Sequence, residues 1–141
     1  MKRFLILLLL VSLCGCSMAQ IRKAFLGMSA QDVENAKKKY TKIFDLDADY
    51  CYDKTLELIT DMQARLLGKN RESYFFTANR FDRAYPLCID TTALGVLIVP
   101  LEPGKSSVEV ASGNYDLARF VSEKLYAELL EQEKLYGEGK N

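Results

Sequence analysis

The chain has no histidine and no tryptophan, and it has only three prolines in 141 residues. The missing histidine removes the commonest general base, the Ser-His-Asp triad and most zinc sites. No Gly-x-Ser-x-Gly elbow, glycine-rich phosphate loop or Ser-x-x-Lys pair occurs. Charge of one sign is missing too. Nineteen Lys and Arg balance nineteen Asp and Glu, which gives no electrostatic case for nucleic acid. Asp45, Asp47 and Asp49 invite a calcium reading. An EF-hand loop needs Gly at its sixth position and Glu at its twelfth, and here those are Tyr50 and Leu56. Paired carboxylates can also cut a glycosidic bond, but nothing singles out two acids among nineteen. The expectation is a protein without catalytic residues, cofactor or metal.

Long apolar runs are also scarce, and the one at the N-terminus is short. Lys2 and Arg3 precede Phe4–Leu13, ten mostly apolar residues, well below the ~20 that a membrane-spanning helix needs. Small Gly15 then precedes Cys16. The stretch Leu13-Cys14-Gly15-Cys16 resembles the lipobox of bacterial lipoproteins, with Cys14 standing where Ala, Ser or Thr is more usual. That resemblance implies cleavage after Gly15, loss of Leu13, Cys14 and Gly15, and diacylglycerol and palmitate on Cys16. Two other readings stay open. One is plain secretion with cleavage after Ser17-Met18-Ala19; the other is a buried apolar N-terminal helix that leaves Lys2 and Arg3 without a role. Ser17 after the anchor resembles the outer-membrane-sorted class of lipoproteins, which implies an outer-membrane protein facing the periplasm.

On that reading residues 1–15 are a signal peptide and 16–28 a lipidated tether. Residues 29–136 form one domain, and 137–141 a frayed tail. Without Lys2 and Arg3 the chain keeps 17 basic residues against 19 acidic, a net charge of −2. Of the four cysteines, only Cys51 and Cys88 remain as free side chains. Export to an oxidising compartment would allow them to pair. The alternative is two small buried apolar side chains.

The remaining chain reads in order. Ser29 and Asp32 have the spacing of a capping box. Val33, Ala36, Tyr40 and Ile43 recur at helical spacing, which predicts a first helix from about Ala30 to Lys42 with Lys37, Lys38 and Lys39 on its wet face. Phe44–Tyr50 alternates, which predicts a strand with three aspartates toward solvent. Cys51–Leu67 returns to helical period, with Gly68 as its stop. Ser73–Ala78, Ala84–Ile89, Ala93–Leu101 and Ser106–Ala111 read as strands, with Pro86 marking an edge or bulge. Glu102-Pro103-Gly104-Lys105 is a turn. Ser112-Gly113-Asn114 caps a last helix whose stripe is Ala118, Val121, Leu125 and Leu129.

This order predicts an α+β fold, a two-layer sandwich in which an antiparallel sheet of about four to five strands carries helices on one face. One strand strains that picture. Ala93–Leu101 is apolar on both sides, and the other face of such a sheet should be polar. The second side is therefore either covered from within, by the first helix or the tether, or open as an apolar patch around Tyr74, Phe76, Leu94, Val96 and Ile98.

The pattern resembles uncharacterised small bacterial lipoproteins with a β-α-β-β-β-α module. The likeness rests on Phe44-Asp45 leading to Cys51-Tyr52, on Asp90-Thr91-Thr92 with Gly95, and on Val108-Glu109-Val110-Ala111-Ser112 before Tyr115. It covers most of residues 27–130 and implies no assigned activity. Leu26-Gly27-Met28-Ser29 through Val33 is also similar to the start of the small lipoprotein subunit of the barrel-assembly machinery, although the Leu-Gly-x-Pro that follows there is missing here. The functional expectation is a lipid-anchored, non-catalytic envelope module with an envelope protein as partner. The alternative is a carrier of an apolar ligand on the sheet face.

Overall fold

The computed structural model describes residues 27–81 and 92–138. The signal stretch, Leu13, Cys14, Gly15, Cys16, Cys88 and the expected strand Ala84–Ile89 lie outside the described residues. The elements are α1 (Ala30–Glu34), β1 (Tyr40–Phe44), α2 (Ala48–Asp61), β2 (Arg65–Asn70), β3 (Phe75–Asn79), β4 (Leu94–Glu102), β5 (Lys105–Ser112) and α3 (Tyr115–Glu138). All strand pairs are antiparallel, in the order β1-β5-β4-β3-β2. The fold is α+β, as the order of elements predicts.

β4 and β5 form a tight hairpin that turns at Gly104, whose φ of +77° suits a residue without a Cβ. Side chains alternate across the sheet. Leu94, Val96 and Ile98 of β4, with Val108 and Val110 of β5, point to one face and are essentially buried. α2 and α3 cover that face. Leu117, Val121, Leu125 and Leu129 recur every four residues and are fully buried, so they form the stripe that seats α3. The Tyr126 hydroxyl donates to the Val108 carbonyl at 3.0 Å and fixes α3 along β5. Asn114 caps α3, since its Oδ1 accepts from the N–H groups of Asp116 and Leu117.

The opposite face is not bare. α1 lies across it, with Val33 packed among Phe75, Leu97 and Ala111. The expected placement of all helices on one face is thus corrected: the two long helices share a face and the short first helix takes the other. A Cβ on Gly95 would sit 2.5 Å from Val33 Cγ2. Glycine at that position is what lets α1 approach β4. Residues before α1 also join the sheet. The Met28 N–H donates to Thr77 Oγ1 at 3.3 Å, and that hydroxyl donates to the Leu94 carbonyl at 3.1 Å. Gly27 has φ +76°, and a Cβ there would lie 2.7 Å from Thr77 Oγ1. Gly27 and Met28 therefore belong to the packed domain, although the sequence assigns them to the tether.

Four boundaries differ from the sequence reading. α1 begins at the expected capping box: Asp32 N–H donates to Ser29 Oγ, and Ser29 N–H donates to Asp32 Oδ2. It stops at Glu34 rather than Lys42. Tyr-Thr-Lys-Ile-Phe is β-prone, and it pairs with β5 from Tyr40↔Val110 to Phe44↔Ser106. The expected strand Phe44–Tyr50 is instead a turn followed by the first turn of α2, with Asp47 as N-cap. α2 ends at Asp61 in a Schellman motif. Ala64 N–H donates to the Ile59 carbonyl and Gln63 N–H to the Thr60 carbonyl, with Gln63 left-handed at φ 56°. Gln occupies the position where Gly is usual, so Gly68 looked like the stop; it lies instead in β2, beside a bulge between Leu66 and Gly68. At the other end of the chain, α3 runs through Gly137 to Glu138, two residues into the expected tail.

Candidate functional site

Three turns meet at one end of the sheet, where β1 and β4 finish and α2 begins. An open cleft of about 480 Å³ lies between them, lined by Asp47, Ala48 and Asp49 of α2, Tyr74, and Pro100–Pro103 of the hairpin. The proline pair stiffens the hairpin wall, because the ring fixes φ. Leu101 on that wall is 46% exposed.

Most polar side chains around the cleft are already used. Asp47 caps α2 through its backbone only. Its Oδ1 accepts from the Gly104 N–H at 2.8 Å and so ties the helix start to the hairpin turn. Asp49 Oδ2 accepts from the Tyr74 hydroxyl at 3.2 Å, and its Oδ1 accepts from Arg71 at 3.0 Å. Arg71 also grips Asp53 with both forks and lies over the Tyr52 ring, 5.5 Å from its centroid. These hydrogen bonds hold the Asp53 carboxyl below the usual range and the Arg71 guanidinium above its own. Burial, and then the neighbouring Asp49 charge, push the Tyr74 hydroxyl up. Among the described residues, the Glu102 carboxylate is the lining acid without a hydrogen bond or ion pair, and it is exposed.

Beneath the cleft, Cys51 is free and fully buried in the first turns of α2. The Ser106 hydroxyl donates to the Leu46 carbonyl at 2.8 Å and stands 3.2 Å from Cys51 Sγ. Burial pushes the thiol up, which keeps it protonated and unreactive. The expected partner, Cys88, lies outside the described residues.

The apolar patch expected around Tyr74, Phe76, Leu94, Val96 and Ile98 is not a surface. Phe76, Leu94 and Val96 are 0% exposed and Ile98 1%, all inside the core beneath α2 and α3. Tyr74, half-buried, does reach a surface, as a wall of the cleft. Sequence reading missed the cleft's other walls. It took the aspartates as a wet strand face and Glu102–Lys105 as an isolated turn. Their meeting depends on strand register, and no local pattern signals it. Among the described residues no group of three or more Cys, Asp or Glu is placed to hold a metal ion. Among the same residues, no helix is long and apolar enough to cross a membrane. No family model matches the chain, and no curated protein matches it.

Proposed function

We propose that the protein is a lipid-anchored, non-catalytic envelope module, held by Cys16 and presenting the cleft beside the β4–β5 hairpin to a protein partner. The observation that carries this reading is the use already made of two of the cleft's three acids. Asp47 is spent on Gly104, and Asp49 on Arg71 and Tyr74. A general acid or base acts within hydrogen-bond reach of a substrate proton, and the lone pairs of these two acids are turned instead to the cleft's own walls. What the cleft offers is shape: a stiff proline-bordered wall, the exposed Leu101, an aromatic ring and one unengaged carboxylate, Glu102. Those features suit a protein surface with an apolar anchor and a nearby base. The Leu13-Cys14-Gly15-Cys16 stretch supports the anchor. The apolar-carrier reading loses its residues, because the side chains that would line the ligand fill the core.

Two measurements test the proposal. Intact-mass analysis of membrane-extracted protein should show a diacylated, N-acylated Cys16, and Cys16→Ser should abolish it. A photo-crosslinker in place of Leu101 should capture one discrete envelope protein, and Glu102→Lys should reduce that adduct. An unmodified Cys16 would remove the anchor. Equal capture of many proteins, unaffected by Glu102→Lys, would remove the cleft.

A further inference from the structure

Among the described residues, the two ends of the sheet carry opposite unpaired charge. Register puts Tyr40, Val110, Ser112, Leu94, Asn79 and Arg65 at one end. Lys37, Lys38, Arg65 and Arg80 lie at that end, all exposed, and among the described residues none of them belongs to an ion pair. The Lys37-Lys38-Lys39 run is divided by the fold. Lys39 turns inward to Glu109 at 2.6 Å and to the Glu34 carbonyl at 3.0 Å, while its two neighbours stay in solvent. Lys38 Nζ lies 5.3 Å from the centroid of the Tyr115 ring, which is 46% exposed and stacked on Tyr40. The N-terminus of α3, the positive end of a 24-residue helix dipole, adds to the same potential. Glu34, Asp61, Asp116 and Glu123 border this end, and Asp116 is already held by Arg119 at 3.1 Å. At the cleft end the balance reverses. Among the described residues, Asp45, Asp47, Glu72, Glu102, Glu131 and Glu133 have no ion pair at that end, and the bases there without one are Lys69, Lys105 and Lys134; Arg71 is saturated by Asp49 and Asp53.

We infer that the end carrying Lys37, Lys38, Arg65, Arg80 and Tyr115 rests against an anionic lipid surface. The inference relies on the Cys16 anchor proposed above. Ten residues separate Cys16 from Gly27, so the domain can move no farther than ~40 Å from its lipid. Within that reach its orientation is set by the field at the bilayer. Bases on β1's side and on the β2–β3 side stand about four strand spacings apart, or ~19 Å. That is a broad footprint over which several headgroups fit. The exposed tyrosine beside a lysine has the amphipathic character of groups that settle at a membrane–water boundary. The opposite, acidic end then faces away from the membrane, and the cleft with it.

The test places p-benzoylphenylalanine at position 115 or at position 101 of the full, lipidated chain. The protein is reconstituted into vesicles of phosphatidylglycerol with phosphatidylethanolamine, or of phosphatidylcholine alone. Lipid adducts should form at position 115 and not at 101, and only in the phosphatidylglycerol vesicles. Lys37→Gln, Lys38→Gln, Arg65→Gln and Arg80→Gln should each lower the preference roughly fivefold. Salt should weaken it as the Debye length falls below ~8 Å. Equal adducts at 115 and 101, or the same preference in phosphatidylcholine, would overturn the inference. Intact mass reads the anchor separately. A chain without lipid on Cys16 that still gives adducts at 115 only with phosphatidylglycerol would sink the anchor and keep the basic face.

Discussion

The two faces of this sheet are closed by very different means. One is covered by α2 and α3, of 14 and 24 residues, over a core of large buried side chains such as Phe44, Phe76 and Ile59. The other is covered by a five-residue helix. So short a helix has no stability of its own in water. It holds because each of its ends is satisfied, by the Ser29–Asp32 box and by Lys39 on the Glu34 carbonyl, and because Gly95 opens a seat for Val33. The cover is incomplete. Ile43, on the same side of β1 as that face, is 53% exposed. The first face is thus closed by bulk and the second by fit. The second face also depends on the segment that leads to Cys16, so tether and fold are joined at Gly27 and Met28.

The contrast predicts unequal responses to mutation. Phe76→Ala, on the first face, should cost the most, ~3–5 kcal/mol by urea unfolding, since it leaves a cavity beneath two long helices. Gly95→Ala should cost ~1–3 kcal/mol, because the new Cβ must displace Val33 or shift α1. Hydrogen exchange should then rise at Phe75, Leu97 and Ala111 and stay unchanged along α3. Ser29→Ala should cost about 1 kcal/mol, again with faster exchange confined to the second face. If Ser29→Ala loosened α3 equally, the two faces would not be separable.

The smallest effect concerns the Arg71 latch, on the first-face side. Asp53 has its carboxyl pKa lowered by the Arg71 hydrogen bonds. A lowered carboxyl stabilises the fold above its unfolded pKa, and that contribution is lost as pH falls through the folded value. Thermal melts should therefore show a slight destabilisation only below about pH 4. Arg71→Gln should abolish that step and leave the melt at pH 7 almost unchanged, since the pair is more than half exposed to solvent. An unaltered acid limb in the variant would show that Asp53 is not the group involved.

Much of this architecture was readable in advance. The alternation of Leu94–Ile98 and Val108–Val110, the Pro-Gly turn between them and the four-residue stripe of α3 all depend on local periods, and these survive folding. The two-sided strand also raised internal cover, by the first helix or the tether, as one of two readings beside an open patch. What failed depended on partners distant in sequence. Tyr40 and Ile43 fit helical spacing equally well, and only pairing with Ser107–Val110 makes them a strand. Gln63 ends α2 in a conformation that usually signals glycine. The cleft was invisible for the same reason: Asp47 and Gly104 stand 57 residues apart and meet only through register. Phe76 and Leu94 read as surface because the sequence does not say which face α2 and α3 choose.

The absence of a side chain at residue 95 seats α1 on the second face. A double-mutant cycle between Gly95→Ala and Val33→Ala measures that directly. Removing the Val33 methyls clears the nearest obstacle, so Gly95→Ala should cost at least ~1 kcal/mol less in the Val33→Ala background than in the wild type. Strict additivity of the two changes would contradict the placement of α1 on Gly95, and with it the view that residues 27–34 close the second face.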